Sequence, residues 1–389
     1  MSTTRPLAGM RVLEIGHSIA APYAGMILGE LGADVVKLEN PGNGDYARGW
    51  GPPFSQGTAT IFQAMNRGKR GITVDLKDAG ELARLRALIL EQFDVVMHNL
   101  KPGALDKLGL GAAGLLAEKP SLIFCNIGAF GARGPLRHLP GYDPLMQAFG
   151  GLMSMLGEEG RPPVRVAVSI MDLGTGMWSA IGILAAHAER LRSGRGGVID
   201  ASLFETSCAW MSIPIASYLA SGILPERAGS GVREIVPYQA YATTDGYIMV
   251  AAGNDGLFHK LCLVLGRADL AGDARLATNP GRVEHRPLLI GQLAGEFAKD
   301  SVAAWMEKLE AVGVPAGPVQ TLDQVVAHPQ TAAMGVLQTS PDGGLQTMGL
   351  PISFDGERPG YRATAPGLGE HNHQVLDDHA ATACSTDEL

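Results

Sequence analysis

The sequence predicts an α/β fold with a parallel sheet, and three observations carry that prediction. Arg11 to Ile15 reads as a strand, Ala20 to Leu31 as a helix and Ala33 to Leu38 as a second strand, a βαβ unit of about thirty residues. Strand and helix patterns keep alternating beyond it. Hydrophobic residues make up 46% and charged residues 18% of the 389, so much of the chain can be buried. The length favours two domains over one.

In chain order, Gly32 ends the first helix. The loop Gly16 to Pro22 lacks the GxGxxG pattern, so the dinucleotide fingerprint is absent, and Glu39 after the second strand does not restore it. Gly71 to Leu76 is a strand, Ala79 to Gln92 a helix, Asp94 to His98 a strand and Leu122 to Ile127 another. Val164, Val166, Val168 and Ile170 alternate with other residues, which predicts a strand. It runs into a helix that opens at Gly174 and ends with Arg190, Arg192 and the Ser193-Gly194 stop. Val198 to Ala201 is a short strand. Ser221 to Gly231 reads as a linker or mobile loop. Ala240 to Ala252 forms a hairpin around Thr244-Asp245-Gly246, followed by helices at Asp255 to Leu265, Arg286 to Ala298 and Ser301 to Ala311. Past Val314 to Pro318 the chain is expected to return to the first domain, with Thr382 to Leu389 frayed.

Asp172 stands at the predicted strand-to-helix joint, where open α/β sheets place ligand sites. Aspartate is also a preferred N-cap, worth about 1 kcal/mol, so position alone leaves capping and chemistry both open.

A net charge of −8 argues against a nucleic-acid partner. Cys125, Cys208, Cys262 and Cys384 are scattered without metal-ligand spacing and suit a reducing cytoplasm. Neither a signal-peptide core nor a membrane-spanning run is evident, so the expectation is a soluble cytoplasmic protein. No GxSxG elbow occurs, and Cys125 and Cys208 read as core thiols. His371, His373 and His379 read as solvated histidines, not metal ligands. Arg67, Lys69, Arg70 and Lys77, with Lys101 and Lys107, cluster in two loops at one end of the sheet. Such cations are suited to a diphosphate.

Eight segments in order then give the chain a resemblance. GADVVKLENPGNGDYAR, NRGKRGITVDLK, HNLKPGALDKLGL, GYDPLMQAFGGLM, SIMDLGTGMWSAIGILAA, VPYQAYATTDGYIMVAAGND, GVPAGPVQTL and APGLGEHN are similar to the class III CoA-transferases, from about Leu7 to Leu376. The family includes formyl-CoA and carnitine CoA-transferases and the α-methylacyl-CoA racemases. The resemblance implies that Asp172 is a nucleophile that forms a mixed anhydride with the acyl group and then an aspartyl-CoA thioester. The helix N-terminus is expected to hold it ionised.

Leu76, Lys77, Asn99 and Lys107 match CoA-contacting positions, and Arg48 matches a recurrent arginine. Asn40 departs from the arginine common after the second strand. Tyr142 stands where racemases carry a histidine base; tyrosine as a residue type, with a reference pKa of about 10, suits that role badly, which favours transfer over racemisation. Gly229 and Gly231 occupy the place of a glycine-rich lid, with Arg233-Glu234 where many relatives have His-Pro. Arg233 is a candidate for pairing with a substrate carboxylate.

The resulting expectation is a large Rossmann-like domain whose parallel sheet is formed by both chain ends (1–225 and 319–389). A small α+β domain spans 226–318, and the resemblance implies an interlocked homodimer. The expected reaction transfers CoA from an acyl-CoA to a free carboxylic acid, with no tightly bound cofactor and no metal. A 2-methylacyl-CoA racemase, a non-catalytic CoA-binding protein and a thioester hydrolase are the alternatives. Met146, Phe149, Met153 and Met155 do not reveal which acids are used.

Overall fold

The computed structural model describes residues 5–377. Six strands, β1 (Arg11–Ile15), β2 (Asp34–Glu39), β3 (Arg70–Thr73), β4 (Val95–His98), β5 (Ile123–Gly128) and β6 (Gly197–Ser202), form one sheet. Their order is β3-β2-β1-β4-β5-β6, and every pair is parallel. This is the doubly wound order, whose direction of winding reverses between β1 and β4. The helices that matter for the site are α1 (Ala20–Glu30), α2 (Ala79–Gln92), α3 (Asp143–Phe149), α4 (Ile170–Ser193) and α5 (Leu203–Trp210).

The strands are apolar on both faces because both faces are covered. Successive residues divide between two cores. Val12, Val35, Val95 and Ile123 pack with α1 and with Ala180 and Ile183 of α4. Leu13, Val36, Val96 and Phe124 pack with Leu85, Leu88 and Ile89 of α2. Helix α4 approaches α1 closely at Gly176, where a Cβ would lie 2.7 Å from the carbonyl oxygen of Ala20.

All six strands lie between residues 11 and 202, which corrects the expectation that both chain ends build the sheet. The C-terminal segment instead closes the β3 edge. His371 N donates to Gly71 O (2.8 Å), Gly71 N donates to His371 Nδ1 (3.1 Å) and Thr73 N donates to Asn372 Oδ1 (2.8 Å). The edge strand thereby satisfies backbone groups that would otherwise be free. His371 is thus half-buried and bonded instead of solvated, His373 is exposed, and His379 lies outside the described residues, as do Cys384 and Thr382 to Leu389.

The alternating segment Val164 to Ile170 is not a strand either. Ile170 is already the first residue of α4, and Val164 and Val168 are about half exposed. The Gln147 side chain takes the backbone of Val166 at both groups: Val166 N donates to its Oε1 (2.8 Å) and its Nε2 donates to Val166 O (3.3 Å). No strand partner is needed.

The compact units divide at other residues than expected. Among the described residues the first comprises 5–150, 166–212 and 329–377; the second comprises 151–165 and 213–328. In the second unit, strands β7 (Tyr238–Ala242), β8 (Tyr247–Ala251) and β9 (Ala316–Pro318) form an antiparallel sheet in the order β9-β8-β7. Ala316–Pro318 therefore belongs to this sheet, and the return comes later. Buried Arg282 ties the unit together through Val236 O (2.8 Å), Leu276 O (3.0 Å) and Asp255 Oδ1 (2.7 Å). Among the described residues no helix is long and apolar enough to cross a membrane.

Candidate active site

At the carboxyl edge of the sheet, where the winding reverses, the first unit holds a cleft of about 280 Å³. The loop after β1 supplies His17 and Ser18, the loop after β4 supplies Asn99 and Lys101, and Tyr142 and Asp172 complete the facing wall.

Asp172 is the third residue of α4, so it is not the cap; Ser169 holds the N-cap position and makes no side-chain cap bond. The cap comes from Asp143 at the start of α3. Its Oδ2 accepts from Met171 N (2.7 Å) and Asp172 N (3.3 Å), while Gln147 Nε2 donates to its Oδ1 (2.5 Å). Asp143 and Gln147 are both buried. The N–H groups expected to keep Asp172 ionised are therefore already engaged, and by another carboxylate. Burial, followed by the charge of Asp143, pushes the Asp172 carboxyl up to about 7. Among the described residues no group donates a hydrogen bond to that carboxyl.

Beneath the cleft lies an ionic cluster with fully buried side chains. Lys37 Nζ contacts Glu14 Oε1 (3.1 Å) and Asp45 Oδ2 (2.9 Å); Lys69 Nζ contacts Glu14 Oε2 (2.7 Å). Burial lowers Lys69 to about 8, whereas at Lys37 burial is outweighed by Glu14 and Asp45 and the pKa is raised. The cluster also holds the β1 loop: Lys37 Nζ donates to Gly16 O (2.8 Å) and Ser18 N donates to Asp45 Oδ1 (2.9 Å).

Of the residues singled out by sequence, Asp172, Tyr142, Asn99 and Lys101 meet in the cleft. Tyr142 is exposed at the N-cap of α3. The Asn99 side chain bonds the backbone of His17 at both ends, accepting from N (3.0 Å) and donating to O (2.7 Å). Leu76 and Lys77 follow β3, and Lys107 ends the short helix Ala104–Lys107 after β4, all at the same edge of the sheet. Leu76 packs against the core, and Lys77 and Lys107 are exposed.

Arg48 is committed elsewhere, with Nε and Nη2 on Glu39 (2.8 and 2.6 Å) and its guanidinium 3.9 Å from the Phe62 ring centroid. Arg67, Lys69 and Arg70 are not loop cations facing a ligand; they pair with Glu30, Glu14 and Asp34. Gly229, Gly231 and Arg233 belong to the second unit. There Gly229 N donates to Gly157 O (2.9 Å), and Arg233 Nη1 donates to Leu224 O (3.1 Å).

Asp143, Gln147, His17 and Asp45 escaped the sequence reading. Asp143-Pro144 carried a helix-start signal, but its capping of a different helix is a tertiary fact. Cys125 is buried, with burial pushing its thiol up to about 12, whereas Cys208 is only half-buried. Among the described residues no group of His, Cys, Asp or Glu is arranged to hold a metal ion.

Comparison with known proteins agrees with this architecture. The family described as CoA-transferase family III matches residues 7–372. A succinate–glutarate CoA-transferase of Agrobacterium fabrum is 38% identical over 380 residues, 95% of each chain. A succinyl-CoA:glutarate CoA-transferase of Mus musculus is 35% identical over 377 residues, 96% of this chain and 86% of that one. The crystal structure of a CAIB/BAIF family protein from Brucella suis superposes with a TM-score of 0.87 at 38% identity, covering 97% of this chain and 100% of that chain. In sequence and in fold alike, the chain belongs to CoA-transferase family III.

Proposed function

We propose that this enzyme moves CoA from an acyl-CoA donor to a free dicarboxylic acid, with Asp172 as the covalent relay. The observation that carries the reading is the Asp172 carboxyl, its pKa raised to about 7 in the switch-point cleft, with no hydrogen-bond donor to it among the described residues. A poorly solvated carboxylate is the stronger nucleophile. Attack on the thioester gives a mixed anhydride and CoA thiolate; the thiolate returns to give an aspartyl-CoA thioester and frees the first acid. The acceptor carboxylate then repeats these steps in reverse.

Dicarboxylates are the proposed acids because the relatives described above are named for succinate and glutarate. Lys77 and Lys107, exposed at the carboxyl edge of the sheet, are the proposed phosphate contacts, with Leu76 and Asn99 lining the CoA path. Tyr142 flanks Asp172, and Gly229, Gly231 and Arg233 are the proposed cover of the acyl group. The family's interlocked homodimer is part of the proposal, supported by exposed Met177, Trp178, Ile181 and Trp210. The free thiols among the described residues support a reducing, cytoplasmic setting.

The test is a panel of acids incubated with succinyl-CoA, with new thioesters read by mass spectrometry. Exchange that disappears in Asp172→Ala, together with a hydroxylamine-sensitive adduct on the Asp172 peptide, is the expected result. CoA release without an acceptor, or solvent deuterium entering Cα without exchange, would overturn it in favour of hydrolysis or racemisation.

A further inference from the structure

We propose that His17 is a catalytic residue of the acyl transfer, donating from Nε2–H to the acyl carbonyl oxygen as Asp172 attacks. The assignment deepens the CoA-transfer reading and rests on it.

Ser18 has φ +69°, a left-handed conformation that a residue with a Cβ rarely adopts, in a loop that lines the cleft. Strain of this kind persists only where surrounding contacts over-determine it, and here they do. Gly16 O is held by Lys37, both backbone groups of His17 by Asn99, and Ser18 N by Asp45. Two of those anchors, Lys37 and Asp45, belong to a cluster buried beneath the cleft. A three-residue turn restrained at four backbone atoms holds one side chain in place, and that side chain is His17.

Its ring is oriented as well. Tyr46 meets it edge-on at 5.7 Å between centroids. His17 Nδ1 lies 3.0 Å from Ser18 Oγ, for which no other hydrogen bond is formed among the described residues. Either atom of this pair can donate; here the hydroxyl is assigned as donor and Nδ1 as acceptor, which puts the ring proton on Nε2. Nε2 has no partner among the described residues, and the half-buried ring lines the same cleft as Asp172. Burial lowers the pKa of His17, opposed by Asp45 and aided by Lys37, which favours the neutral ring.

In the reaction, an Asp172 oxygen bonds to the acyl carbon and the carbonyl π pair moves onto the carbonyl oxygen, where Nε2–H stabilises the developing charge. Collapse restores the C=O, breaks the C–S bond and leaves the electron pair on the CoA sulfur. No proton is transferred, and His17 stays neutral throughout. Ser18 and Asn99 are positioning residues.

The test compares wild type, His17→Ala, His17→Gln and Ser18→Ala in succinyl-CoA/glutarate exchange, alongside calorimetric binding of free CoA. Loss of an oxyanion donor predicts that His17→Ala lowers kcat by about 10²–10³-fold, with KM and the Kd for CoA within about twofold of wild type. His17→Gln, whose amide returns a donor near the Nε2 position, is expected to recover at least about tenfold of that loss, and Ser18→Ala to fall between. A His17→Ala kcat within about threefold of wild type, or a defect confined to KM and CoA binding, overturns the assignment alone. If His17→Ala does not fold, a His17→Gln kcat more than about 10²-fold below wild type overturns it. A wild type that exchanges no acyl-CoA with any acid overturns this assignment together with the reading beneath it.

Discussion

Replacing Asp172 with asparagine removes the proposed nucleophile, and it should also stabilise the protein in a pH-dependent way. Burial and the neighbouring Asp143 raise this carboxyl from an ordinary 3.8 to about 7. The folded state therefore holds its proton where the unfolded state has released it. The favourable contribution is complete below pH 4, declines as pH rises from about 4 to about 7, and is gone above the folded-state value. The interval corresponds to about 4 kcal/mol lost by wild type at pH 8, relative to a side chain that never ionises. Asparagine is such a side chain, and no hydrogen bond to the carboxyl is sacrificed. Urea unfolding of wild type and Asp172→Asn between pH 5 and 8, followed by the fluorescence of Trp178 and Trp210 on α4 and α5, measures the difference. The variant's advantage should grow by about 2.5 kcal/mol across that range. A difference independent of pH, or one that shrinks as pH rises, would refute the reasoning.

The same ionisation should appear in catalysis: kcat/KM rises with pH through about 7, and Asp143→Asn, which removes the neighbouring charge but keeps an acceptor for Met171 N, moves that limb to lower pH. A limb that stays in place in Asp143→Asn would separate the two carboxylates. Lys37→Met leaves Glu14 and Asp45 buried without their shared cation and should cost about 3–5 kcal/mol, read by urea unfolding; a loss below about 1 kcal/mol would mean that the cluster rehydrates. Gly176→Ala places a methyl 2.7 Å from Ala20 O and should destabilise the α1–α4 contact by about 1–3 kcal/mol, visible as a lower Tm.

Much of the fold was legible because its signals are local. The βαβ unit is read from uninterrupted apolar strands such as Val35-Val36, which bury alternate residues in two different cores. The hairpin at Thr244-Asp245-Gly246 follows from turn chemistry. The misreadings share a cause. Val164 to Ile170 has strand periodicity, yet Gln147, distant in sequence, satisfies its backbone and leaves Val164 and Val168 facing outward. Arg67, Lys69 and Arg70 look like a basic loop until Glu30, Glu14 and Asp34 arrive from other elements.

The sequence by itself determined the α/β class, the absence of a dinucleotide fingerprint and the family, and it singled out Asp172 as the candidate nucleophile, because each is written in residue types at short or ordered spacing. Only the tertiary structure decided what Asp172 experiences. Its pKa depends on how deeply α4 is buried and on Asp143, 29 positions away, occupying the first N–H groups of that helix. A side chain's charge state is set by its neighbours in space, and those neighbours come together only when the chain folds.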